Sequence, residues 1–170
     1  IFLIKTGQDG SIYGYQNKYL KLACELRDKF GFSVVCASTP SVEIDQIAQF
    51  AKIVQSEFEI TDATKIYFMG MSKGASIGCL RYASFPQVSR FLLINPPLMI
   101  NTIKLCQCTQ EFTGEIMAFV FGSLDPSARL AGLLKLYERE NVRISIIPGQ
   151  DHHFSKDNFN LLELIKSIIL

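Results

Sequence analysis

Six short apolar runs punctuate the chain: Phe2–Ile4, Phe32–Ala37, Ile66–Met69, Phe91–Ile94, Ile116–Phe121 and Val142–Ile147. Unbroken apolarity over so few residues suits strands that are covered on both faces, as in a parallel sheet. Between the runs lie stretches with helical period. Leu20, Ala23, Leu26 and Phe30 form one stripe, and Ile44, Ile47, Ala48, Ala51, Val54 and Phe58 form another. Leu161, Leu162, Ile165, Ile168 and Ile169 give the C-terminal segment a third. Alternation of this kind predicts a three-layer, doubly wound α/β fold with right-handed crossovers and a mainly parallel sheet of about six strands. No repeat, low-complexity tract or linker interrupts the 170 residues, so the expectation is one domain over 1–170.

Charge and cysteine content remove several function classes. Lys and Arg total 17 against 16 Asp and Glu, a net charge of +1 with no basic block. A surface that tracks phosphates is therefore not expected, nor is nucleic-acid binding. No apolar run reaches the ~18 residues that cross a bilayer. Five cysteines is an odd number, and a chain of this size builds its core without staples, so reduced thiols and a cytoplasmic location are expected. Cys106-Gln107-Cys108 reads as two unrelated thiols. The glycines of "TGQDGSIYG" do not have the dinucleotide spacing, and the second run ends in Ala37-Ser38-Thr39 with no acid for a ribose. No cofactor is implied.

In an open α/β sheet, ligands bind in the crevice outside the carboxyl ends of the strands. The segments there include Thr6-Gly7-Gln8, Gly70 to Gly74, Asn95-Pro96-Pro97, Gly122 to Asp125 and Gly149 to His153. Gly-Met-Ser-Lys-Gly is the most specific of them. A serine that must point out of a sharp strand-to-helix turn needs glycine two places before and after it, where side chains would collide across the turn. Gly70 and Gly74 supply this around Ser72. The plainer alternative is a serine that caps the next helix.

A serine hydroxyl becomes a nucleophile when a base takes its proton and an acid fixes that base. The two histidines of the chain, His152 and His153, follow the last strand, and Asp125 follows the preceding one. Asp125 also precedes Pro126, which suits a helix cap, and the two roles are compatible. A metal at the histidine pair is not expected, because no third ligand stands at suitable spacing.

Together these stretches resemble the α/β-hydrolases over nearly the whole chain. "DATKIYFMGMSKGA" resembles the nucleophile elbow and its strand, "FVFGSLDP" the acid loop, and "IPGQDHHF" the catalytic-histidine loop. The resemblance implies Ser72 as nucleophile, Asp125 as acid and His152 as base, with His153 a neighbour at the rim. It further implies an oxyanion hole from the backbone N–H groups of Gln8 and Lys73. Thr6-Gly7-Gln8 stands where the family commonly has His-Gly. The family's first two strands are missing, and Asn95 to Glu115 leaves room for a small cover at most.

The expected activity is therefore cleavage of a small carboxylic ester or thioester through an acyl-enzyme. Acyl transfer by the same triad is one alternative, and a non-catalytic binding module of this fold is another. Tyr13, Tyr15, Met71, Met99 and Phe154 are candidates for the lining of the substrate cleft.

Overall fold

A computed structural model describes residues 1–42, 44–156 and 159–170. Six strands, β1 (Phe2–Gln8), β2 (Val34–Thr39), β3 (Ile66–Met71), β4 (Val88–Ile94), β5 (Ile116–Gly122) and β6 (Val142–Ile147), form one sheet in the order β2-β1-β3-β4-β5-β6. Every adjacent pair runs parallel. The order reverses between β1 and β3. That switch point opens a crevice at their carboxyl ends.

Helices α1 (Lys18–Phe30), α2 (Gln46–Glu57), α3 (Lys73–Leu80), α4 (Thr102–Glu111), α5 (Ala131–Lys135) and α6 (Leu161–Ile169) complete the three layers. Leu3, Phe68, Phe91 and Phe119 face α2 to α5, whereas Phe2, Ile4, Leu92 and Val120 face α1 and α6. This alternation along each strand explains why the runs are apolar throughout: both faces are core. Among the described residues, no helix is long and apolar enough to cross a membrane.

Several readings of the sequence shift. β1 runs on to Gln8: Lys5 pairs with β2 and β3 on both sides, and after a shift of register Gln8 pairs with Thr39 of β2. β2 begins at Val34, and Phe32 instead packs its ring 5.7 Å from Phe2 and 5.6 Å from Tyr67. In α1 the buried face is Tyr19, Leu22 and Leu26, with Leu20 and Phe30 exposed. Tyr19 and Leu22 keep the helical spacing with Leu26, so apolarity alone had set the stripe out of phase. Ile44 also lies exposed, ahead of the Asp45 cap of α2. The segment after β4 holds one short helix, α4, which packs against α3.

Candidate active site

β3 enters α3 through Ser72, whose backbone sits at φ 54° and ψ −122°. A side-chain-bearing residue held there costs about 1–3 kcal/mol. The surroundings impose it: the Ser72 N–H donates to the Ile94 carbonyl at 2.8 Å, and the Ser72 carbonyl accepts from Ala75 and Ser76 at 3.0 and 3.1 Å. The Ser72 side chain makes no capping hydrogen bond to α3, so capping is not its task. A Cβ on Gly70 would lie 2.6 Å from the Ala75 nitrogen, across the turn as expected. Gly74 is required by a different neighbour: its Cβ would lie 2.3 Å from the Thr6 carbonyl oxygen of β1. The turn is thus wedged against the neighbouring strand as well as folded on itself.

Asp125 is 3% exposed, at the end of the loop that follows β5. One carboxylate oxygen accepts the Ser127 N–H at 2.7 Å, and the other meets Nδ1 of His152. Capping and histidine contact coexist in one side chain. His153 lies edge-on to the His152 ring, with centroids 5.2 Å apart, and its carbonyl accepts from Nζ of Lys18 at 2.9 Å. The turn carrying both histidines is braced by Asp151, which accepts from the His153 and Ser155 amides at 3.0 Å and the Ser155 hydroxyl at 2.7 Å. These bonds, that of the Ser155 hydroxyl foremost, hold the Asp151 carboxyl below the usual range.

Asn95 was not picked out by the sequence reading beyond its place at a strand end. It is fully buried with φ 45°. Its side-chain nitrogen donates to the Asp151 and His152 carbonyls at 3.2 and 2.9 Å, and its oxygen accepts the Gly122 N–H at 2.9 Å. One amide therefore ties the end of β4 to both the acid loop and the histidine loop. A buried asparagine after a strand, where α/β sheets place their ligands, was the signal available.

Ser72, His152, His153 and Gln8 share the wall of one cleft of about 410 Å³. Tyr15 and Met71 also line it. Tyr13 and Met99 are instead exposed elsewhere, and Phe154 is buried with its ring 5.0 Å from Phe159. Gln8 sends its side chain away to the Ser41 hydroxyl at 2.8 Å. Lys73 opens α3, so its amide is one of the first-turn donors that no helical carbonyl satisfies. Lys18 also lines the cleft, and burial pulls its amine down to about 8, an effect partly offset by the charge of Asp151. Among the described residues, no three His, Cys, Asp or Glu side chains gather as a metal site would require.

No family model and no curated protein matches the sequence. Solved structures do match in shape. Est1E from Butyrivibrio proteoclasticus aligns with a TM-score of 0.66 at 15% identity, over 98% of this chain and 83% of its own. The esterase domain of a Rhodothermus marinus protein aligns at 0.64 and 12% identity, over 91% and 79%. An alpha-beta serine hydrolase homologue from Coxiella burnetii aligns at 0.62 and 18% identity, over 91% and 77%. The fold is that of the α/β-hydrolases.

Proposed function

We propose that the chain is a serine hydrolase that cleaves small carboxylic esters or thioesters through an acyl-enzyme on Ser72. The observation that carries this reading is the Asp125–His152 contact, which opens on the cleft where the strained Ser72 stands. A binding module has no use for a serine held at φ 54° in the same cleft as a carboxylate-paired histidine. The neighbours named as esterases lend support through the fold they share with it.

The chemistry follows from those positions. The substrate carbonyl enters the cleft, and Ser72 Oγ attacks its carbon as Nε2 of His152 takes the hydroxyl proton. Asp125 keeps the imidazole in the tautomer with its proton on Nδ1 and stabilises the cation that forms. The backbone N–H groups of Gln8 and Lys73 donate to the oxyanion. His152 then gives its proton to the departing alcohol or thiol. Water repeats the sequence on the acyl-enzyme, releasing a carboxylic acid and regenerating Ser72. The proton taken from Ser72 leaves with the alcohol or thiol and one from water replaces it, so the net reaction adds water across the acyl bond with no redox change and no cofactor is needed.

A fluorophosphonate probe tests the nucleophile: it should label wild-type protein and fail to label Ser72→Ala. Labelling that survives this change would relocate the nucleophile, and no labelling of the wild type would remove the enzyme reading. Turnover of p-nitrophenyl esters and acyl thioesters of graded length then defines the substrate. His152→Ala should abolish that turnover and His153→Ala should retain most of it; the reverse result would transfer the base to His153.

A further inference from the structure

Lys5 is a charged residue inside β1, set between Ile4 and Thr6. It shares the sheet face of Leu3 because side chains two apart in a strand point the same way. That face is core, packed by Ile47 and Phe50 of α2. Lys5 is accordingly 3% exposed, and burial lowers its amine from the ordinary 10.5 to about 8, which leaves it mostly protonated at neutral pH. Buried charges are normally paired, since taking one out of water is costly. Its ammonium donates to the Ser38 carbonyl, which uses one of three donors. Among the described residues no carboxylate forms an ion pair with it. Asp45 spends its oxygens on the Ile47 and Ala48 amides and the Ser84 hydroxyl. Cys36 stays an uncharged thiol, because burial pushes it up to about 11.

Lys5 lines a cleft of about 330 Å³ between β2 and the start of α2. No residue on its wall also lines the Ser72 cleft. A second unsatisfied group stands on the same wall. Gln46, 6% exposed, donates through Nε2 to the Pro40 carbonyl at 2.9 Å, while its Oε1 is buried and has no hydrogen-bond partner among the described residues. Ile12, Pro40, Ile44, Phe50 and Ile53 supply most of the apolar part of the wall, and Ile12, Ile44 and Ile53 are exposed.

From this pairing we propose a second ligand site that takes an organic monocarboxylate with an apolar body and a hydroxyl or amide donor beside the carboxylate. The anion answers Lys5 with a single charge, the donor answers Gln46 Oε1, and the body covers the isoleucines. A phosphate ester would bring up to two charges to one ammonium and leave the apolar wall unmatched. The site is independent of the reaction proposed at Ser72.

The test uses the whole chain, titrated with 2-hydroxyoctanoate, octanoate and 1-octanol, and followed by amide chemical shifts and thermal melting. The expected result is saturable shifts at Ala37, Ser38 and the Gln46 side-chain amide. Affinity should fall in the order 2-hydroxyoctanoate, octanoate, octanol, with at least tenfold between the first and the last. Lys5→Met should level octanoate with octanol while 2-hydroxyoctanoate keeps its lead over octanoate, and octanoate should raise the melting temperature of wild type more than that of this variant. Gln46→Glu, which places an anion on the wall, should lower carboxylate affinity at least tenfold and spare octanol; it decides the question even if Lys5→Met does not fold. Equal binding of octanoate and octanol by wild type would overturn the proposal. So would shifts confined to the Ser72 cleft, or carboxylate affinity unchanged in both variants.

Discussion

One oxygen of Asp125 caps the turn that follows it and the other meets His152, so the two contributions of this side chain can be separated chemically. Asparagine caps about as well as aspartate. Asp125→Asn should therefore change stability by less than about 1 kcal/mol while kcat falls by up to ~10⁴, the loss that follows when a triad histidine is left in the wrong tautomer. Thermal melting and single-substrate kinetics on the same preparation check both halves. A kcat within a fewfold of wild type would leave Asp125 as a cap alone. Ser72 shows the opposite economy. Its hydroxyl makes no capping bond, and its backbone is held in a conformation that a serine adopts only under constraint.

Loops at the ends of β4, β5 and β6 meet through Asn95, which makes this asparagine the joint between three elements. Asn95→Ala leaves the Gly122 N–H and two loop carbonyls without their buried partner. The Asp151 carbonyl keeps the Phe154 N–H, so two groups are orphaned at about 1–3 kcal/mol each and the expected loss is about 2–6 kcal/mol of stability. The histidine loop loses its anchor, so kcat should fall more than KM rises, as steady-state kinetics well below the melting point would show. The elements themselves were largely legible in the sequence, because buried parallel strands leave unbroken apolar runs and Ser72, Asp125 and His152 each follow one. What the runs hid was polar. Lys5 and Arg90 extend β1 and β4 by pairing with neighbours that no local pattern reveals, and Thr6 and Ser89 fall at irregularities of register. Asn95 acts through carbonyls some 56 positions away, and a spacing of that kind has no signature in one sequence.

At the scale of the molecule, the buried Lys5 amine makes stability depend on pH in a defined direction. Its value in the folded chain, about 8, lies below the ordinary 10.5, so the unfolded chain binds more protons between those limits. The penalty of carrying the charge is complete below pH 8 and fades as pH rises toward 10.5. Lys5→Met should thus melt above wild type at pH 7, with the gap closing by about pH 10.5; comparison at each pH cancels the other titrating groups. A gap that did not vary with pH would mean that the amine is not penalised by burial. The strand order carries a different consequence, for time. Met117 pairs with Val142 and Tyr67 with Arg90 across 25 and 23 positions, whereas Phe2 reaches Tyr67 across 65. Closing the longer loop costs about 1 kcal/mol more. During refolding the half from β3 to β6 can assemble before β1 arrives, and Gly74 has nothing to wedge against until Thr6 is in place. The Ser72 turn should therefore be among the last features to set. After dilution from denaturant, reactivity toward the fluorophosphonate should return more slowly than the helical circular dichroism signal.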